Sequence, residues 1–198
     1  MIELFKMKYR KILVLVGHPD TESMCRDFGN AYVEGARSKG NEVKIVNLGN
    51  MKFDPILHHG YKVIQELEPD LKQFQQDVRW CDHFVIIYPS WWSTMPALLK
   101  GLFDRAWLPG FAYKFLPSGI GWQRLLKGRT ARVFVTSDSP PLLARFLFGD
   151  NTNEIQDGIL WFAGFHTKMK KCGPMKKISP ENRAKWVQKF IEYGKKAY

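Results

Sequence analysis

The feature that most limits what this chain can fold into is the apolar run Ile12-Leu13-Val14-Leu15-Val16, which stops abruptly at Gly17-His18-Pro19. A strand that is apolar at every position, not every second one, is buried on both faces. It therefore needs a layer of structure above and below it, the situation of a parallel sheet covered by helices. The pattern recurs at 83–88, His-Phe-Val-Ile-Ile-Tyr, closed by Pro89, and a further strand is expected at 130–136, Thr-Ala-Arg-Val-Phe-Val-Thr.

The segments between these runs carry helical periods. Met24, Phe28, Ala31 or Tyr32, and Gly35 recur at helical spacing, with Gly40 as a stop. Residues 42–48 predict a second, more exposed strand, and 49–69 has no sustained period and reads as a long connection. Leu71, Phe74, Val78 and Cys81 form one stripe on a helix starting near Asp70. Pro96 suits the first turn of a helix carrying Leu98/Leu99, Leu102/Phe103 and Ala106/Trp107, ended by Pro109-Gly110. A loop rich in aromatics and glycine is expected over 110–128, a helix over 155–164, a short edge strand over 168–172, and a last helix over 180–193 with Ser179 as N-cap. Strands alternating with helices predict an α/β fold, a doubly wound five-stranded parallel sheet with helices on both faces. At 198 residues, one domain over 1–198 is expected. In such sheets ligands bind beyond the carboxyl ends of the strands, which singles out loops 17–25, 89–95 and 136–141.

Charge needs placing before it is interpreted. Thirty Lys and Arg against 19 Asp and Glu give +11. Residues 168–196 alone hold ten basic side chains and only Glu181 and Glu192 to offset them, so the excess is expected on the last strand and helix, away from the three loops. Without a recognised nucleic-acid motif this cluster reads as a solvated or docking face, and nucleic acid is not the expected partner. Three cysteines, Cys25, Cys81 and Cys172, have no C-x-x-C spacing and suggest neither a disulfide framework nor a zinc site. His58-His59 and Cys81-x-His83 lack spaced partners for a metal, so none is expected. A reducing, cytoplasmic setting fits. The apolar run after the basic residues Lys6, Lys8, Arg10 and Lys11 is too short for a signal sequence, and no segment approaches the roughly 20 apolar residues of a spanning helix.

The three loops offer complementary chemistry. In the first, a helix N-terminus with free N–H groups, Ser23 beside it and His18 as a donor suit a phosphate; alternatively Ser23 only caps the helix and His18 is a turn residue. The loop is neither G-x-G-x-x-G nor a Walker A sequence. In the second, Tyr88-Pro89-Ser90-Trp91-Trp92-Ser93-Thr94-Met95-Pro96, adjacent tryptophans in extended chain point in opposite directions, so at least one is free to lie against a ligand or partner. Packing on a neighbouring loop is the other reading. The third, Thr136-Ser137-Asp138-Ser139-Pro140-Pro141, is small and polar. Cys25, at a helix start, is open to a lowered pKa, to lining a cofactor, or to burial.

Phosphate capture, an aromatic wall and polar contacts at one sheet edge describe a flavin mononucleotide cradle. The chain resembles the flavodoxin-fold NAD(P)H:quinone oxidoreductase family, the DT-diaphorase-like group with its smaller bacterial relatives. The resemblance rests on KILVLVGHP at 11–19, YPSWWSTMPALLKGLFDRAW at 88–107, FAYKF at 111–115 and GILWFAGF at 158–165. It implies a flavin-dependent oxidoreductase that passes a hydride from NAD(P)H through the flavin to a quinone or similar acceptor. It also implies roles. His18, Ser23, Met24 and Cys25 hold the flavin phosphate and ribityl end; Pro89, Ser90, Trp91, Trp92 and Ser93 line the isoalloxazine; Thr136, Ser137, Asp138 and Ser139 contact its pyrimidine side. Tyr113 and Phe115 lie near the substrate, contributed across a homodimer interface. FMN is preferred to FAD because the first loop offers one obvious phosphate site, FAD being the alternative.

Two departures stand out. Family members with the best-known quinone mechanism carry Thr-Thr-Gly-Gly at the third loop, where this chain has Thr136-Ser137-Asp138-Ser139. They also place a Tyr and a His further along, where Ala144 and Phe148 stand here. A competing reading is a flavodoxin-fold regulatory or binding subunit that docks on an acidic or membrane partner through 168–196.

Overall fold

In a computed structural model that describes residues 9–149 and 153–197, five parallel strands form the central sheet: β1 (Lys11–Val16), β2 (Glu42–Asn47), β3 (His83–Pro89), β6 (Thr130–Thr136) and β7 (His166–Cys172), in the order β2-β1-β3-β6-β7. A separate antiparallel hairpin, β4 (Tyr113–Phe115) with β5 (Trp122–Arg124), pairs Tyr113 with Arg124 and Phe115 with Trp122. The hairpin lies where the sequence predicts a loop, because three-residue strands are too short to show an alternation. Set aside, it leaves the order 2-1-3-4-5 of a doubly wound sheet.

The side-chain period of two explains why the central runs are apolar throughout. Leu13 and Leu15 of β1, with Phe84, Ile86 and Tyr88 of β3, enter one core; Ile12, Val14 and Val16, with Val85 and Ile87, enter the other. The first core is closed by α2 (Pro69–Trp80) through Leu71, Phe74 and Val78, by α3 (Ala97–Ala106) through Leu99, Leu102 and Phe103, and by the helix at Glu154–Trp161 through Ile155 and Leu160. The second is closed by α1 (Met24–Arg37) and α5 (Pro180–Lys196), where Phe28 and Phe190 stack at 4.4 Å with planes 6° apart. These two helices lie unusually close. A Cβ on Gly35 would stand 1.9 Å from the Ile191 carbonyl oxygen, and one on Gly194 would stand 2.1 Å from that of Tyr32, so each helix supplies a glycine where the other's backbone passes.

The sequence boundaries hold with shifts of a few residues at the ends. The last helix runs three residues further than the expected 193, and the edge strand begins at His166. Ser179 caps α5 by accepting the Asn182 N–H at 3.3 Å. The helix expected over 155–164 is wound as a π-helix over Glu154–Trp161. The segment after Pro140 forms α4 (Pro141–Phe148), which no period in the sequence announced. The long connection 48–68 is held from beneath by Arg105, only 1% exposed, whose guanidinium donates to the carbonyls of Asp54 and Glu66 and to the Glu68 carboxylate. No helix among the described residues is long and apolar enough to cross a membrane.

Candidate active site

The chain leaves β1 toward β2 on one side and β3 toward β6 on the other, so a crevice opens where the two directions part. The loops that follow β1, β3 and β6 are tied together there. The Gly17 N–H donates to the Ile87 carbonyl at 2.8 Å, and the Ser90 N–H donates to the Thr136 carbonyl at 2.7 Å. The His18 and Trp91 rings meet edge to face, 5.4 Å between centroids at 80°. Cys25 Sγ lies 3.5 Å from Thr136 Oγ1, joining the start of α1 to the end of β6.

The first loop is built to present the end of α1. Ser23 has extended backbone and its Oγ accepts the Arg26 N–H at 3.3 Å, so the capping reading of Ser23 is the observed one. Met24 and Cys25 follow with N–H groups that have no preceding turn to bond, at the positive end of a 14-residue helix. His18 Nδ1 lies 2.9 Å from the Asp20 nitrogen and 3.1 Å from its carbonyl. A backbone N–H can only donate; Nδ1 is therefore assigned as the acceptor, and in the neutral ring the proton falls on Nε2, the donor position an anion needs. Cys25 is buried, and burial pushes its thiol up to about 11, against the lowering effect of the Thr136 hydroxyl and with a further rise from Asp27. The possibility of a lowered pKa at this helix start is overturned: desolvation outweighs the helix end.

The second loop is a tight hairpin. Trp91 and Thr94 exchange both backbone hydrogen bonds, at 2.9 and 3.0 Å, and the two residues between them, Trp92 and Ser93, have φ of 50° and 63°. Such a turn favours Asn-Gly, and a bulky side chain held at positive φ is strained. The turn also separates the two indoles. Trp91, 43% exposed, packs on His18, whereas Trp92 stands free at the tip and is fully exposed. Thr94 Oγ1 donates to the Glu154 carboxylate at 3.1 Å, a link to the π-helix that the sequence did not signal. Burial, with Glu154 beside it, pushes the Tyr88 hydroxyl well above its ordinary value.

The third loop is sealed from a direction the sequence did not indicate. Ser137 donates its N–H to the Cys172 carbonyl and accepts the Met175 N–H, both at 2.9 Å, while its Oγ donates to the Ser139 carbonyl at 2.7 Å. A Cβ on Gly173 would stand 2.7 Å from the Ser137 carbonyl oxygen, so only glycine lets this segment close in. The expectation that the basic region lies away from the loops needs correction: the chain leaving β7 brings exposed Lys176 and Lys177 to the flank of the third loop. The reason is topological, because β7 pairs with β6 in parallel and ends at the same edge. Asp138 is exposed. The side chains of Ala144 and Phe148 fall outside the described residues. Tyr113 and Phe115 sit on the β4–β5 hairpin, where Tyr113 meets Phe115 at 5.1 Å and Phe162 at 5.0 Å. Among the described residues no three His, Cys, Asp or Glu side chains are grouped to hold a metal ion.

This donor set fits a phosphorylated planar ligand. A helix end and a ring N–H suit an anion, an indole supplies a flat wall, and the hydroxyls and backbone of the third loop suit the polar edge of a ring.

Comparison with known proteins places the chain in a family. A family model described as "Flavodoxin-like fold" matches residues 10–169. The chain belongs to that family. A solved structure from Streptococcus mutans UA159 matches it with a TM-score of 0.78 and 27% identity over 94% of this chain and 99% of that one. A protein of Haemophilus influenzae, named an uncharacterized NAD(P)H oxidoreductase, is 31% identical over 137 residues, 64% of either chain. NAD(P)H dehydrogenase (quinone) 1 of Cavia porcellus is 31% identical over 127 residues, 54% of this chain but only 46% of its own length. The matched regions thus span less than two thirds of these two curated relatives.

Proposed function

We propose that the protein is a flavin-dependent oxidoreductase that takes a hydride from NAD(P)H and passes two electrons to a quinone or similar acceptor. The observation that carries this reading is the joining of the three strand-end loops, Ser90 to Thr136, His18 to Trp91 and Cys25 to Thr136, into one crevice in a chain of the flavodoxin-like family. The names of the relatives from Haemophilus and Cavia support it. FMN is the cofactor favoured, because one helix N-terminus offers one phosphate site, with FAD as the alternative.

Bound flavin supplies the two-electron chemistry, and the protein orients it. The start of α1, through Met24 and Cys25 N–H and with Ser23 holding the turn, and His18 Nε2–H receive the phosphate and ribityl end. Pro89, Ser90, Trp91 and Ser93 line the ring, with Trp92 at the outer lip. Thr136, Ser137, Asp138 and Ser139 meet its polar edge. Buried Cys25, its thiol pushed up by desolvation, packs against Thr136.

A homodimer is part of the proposal. On this reading Tyr113 and Phe115 of a second copy of the chain lie near the acceptor. Exposed Ile56, Tyr61, Val63 and Ile64, on the connection neighbouring the hairpin, offer the apolar surface such an interface uses. A reducing, cytoplasmic setting accords with three buried free cysteines. The test is direct: purified protein should be yellow, NAD(P)H should bleach it without oxygen, and a quinone should restore the colour. Flavin bound but unreduced by either nicotinamide sinks the oxidoreductase reading. A colourless chain that binds no flavin favours the regulatory subunit instead.

A further inference from the structure

The crevice edge of the sheet carries exposed side chains that water solvates poorly. Leu142, Leu143, Phe146 and Leu147 of α4 fall at i, i+1, i+4 and i+5, one face of the helix, and are 84%, 48%, 87% and 59% exposed. Trp92 stands at the tip of the neighbouring strained turn with its whole indole in solvent. These features share one edge of the sheet, since Ser90 is bonded to Thr136 and α4 begins two residues after Ser139. A helix face of four exposed apolar side chains marks an interaction surface.

Charge identifies the occupant. Lys176 and Lys177 are exposed on the same edge, held there by the Met175 N–H bond to the Ser137 carbonyl. An anionic lipid surface complements these groups, with exposed Asp138 the opposing charge on the third loop: leucine and phenylalanine enter the acyl boundary, an indole sits at headgroup level, and ammonium groups meet lipid phosphates. At eight residues, α4 is about 12 Å long and suited to lying in the interface, not to crossing it.

We propose that Trp92, the apolar face of α4 and Lys176–Lys177 form a docking rim that seats the protein on an anionic bilayer, with the crevice opened toward acceptors dissolved in the lipid. This rests on the proposed oxidoreductase reading for its purpose, but the docking is measured separately. The full chain, as purified with its flavin, is mixed with vesicles of phosphatidylcholine with or without phosphatidylglycerol, and bound protein is followed by flotation and gel. Binding is expected to the acidic vesicles alone and to weaken with salt. Leu142→Glu with Phe146→Glu, and separately Lys176→Glu with Lys177→Glu, should each lower partitioning about ten-fold or more. The α4 pair should keep the far-ultraviolet spectrum, the flavin and the turnover of a water-soluble quinone. No partitioning to acidic vesicles, or partitioning that both double variants retain, overturns the proposal. So does a change from dimer to monomer in the α4 variant of a protein that ignores vesicles, which would make the rim an interface between copies. A chain that binds acidic vesicles but no flavin keeps the docking and removes the oxidoreductase reading.

Discussion

His83 opens β3 fully buried, with Nδ1 2.8 Å from Thr130 Oγ1 and with Nε2 lacking a partner among the described residues. Burial, reinforced by the positive charges of Arg10 and Arg132 and only partly offset by Thr130, pushes its pKa down from 6.5 to about 3. A base whose folded pKa lies below its unfolded one binds protons preferentially in the unfolded chain, so stability falls as pH drops from 6.5 toward 3 and is fully restored above that window. Linkage between the two values gives a loss of about 2 kcal/mol on going from pH 7.5 to pH 5. Because pH 5 stands well above the folded value, that figure depends almost wholly on the unfolded pKa. The effect is a large share of the roughly 5–15 kcal/mol that holds a typical domain together. Urea unfolding at the two pH values, in wild type and in His83→Asn, isolates it, since asparagine keeps a polar partner for Thr130 and cannot titrate. The variant should be less stable at pH 7.5 yet lose about 2 kcal/mol less on acidification. If wild type and variant lose the same amount, His83 is not a buried neutral imidazole and the argument fails.

Further outcomes follow from the same contacts. Glu68→Ala leaves the Arg105 guanidinium, 1% exposed, without its carboxylate, and should cost about 3 kcal/mol in chemical unfolding, with the connection 48–68 gaining hydrogen exchange first. Trp91→Ala removes the proposed ring wall and the edge contact with His18; flavin titration should show affinity reduced about ten-fold, with thermal stability of the flavin-free protein nearly unchanged. Gly194→Ala gains about 1 kcal/mol of helix propensity, but drives a methyl against the Tyr32 carbonyl oxygen at 2.1 Å, so net destabilisation and weakened Phe28–Phe190 packing are expected by calorimetry. Cys25, Cys81 and Cys172, with thiols pushed up to about 11, 12 and 12, should resist alkylation at pH 8 in the folded protein and react once urea unfolds it. Fast labelling of Cys25 would contradict its burial.

Much of the layering was legible along the chain because its signals are local. The apolar runs at 12–16 and 83–88, and Val133-Phe134-Val135 within 130–136, state burial on two faces, and the stripe of Leu71, Phe74 and Val78 states the face that α2 turns inward. Ser23 and Ser179 could be marked as caps for the same reason, since a cap involves residues three apart. That three loops meet at one edge was legible through a rule of topology: once the sheet is parallel, the loops after its strands gather at the carboxyl edge.

What escaped depends on residues far apart in sequence. The state of Cys25 is decided by Thr136 and the packing around it, not by its place at a helix start. The orientations of Trp91 and Trp92 are decided by a turn whose positive φ angles no sequence pattern of tryptophan and serine would suggest. The flanking of the third loop by Lys176 and Lys177 exists because β7 returns to lie beside β6. Local order along the chain thus settled which segments are strands and helices and which face each one buries, since period and capping act over a few residues. Only the folded sheet decided which loops meet, which thiol and imidazole lose water, and which charges surround the crevice, because desolvation and charge placement are properties of neighbours in space.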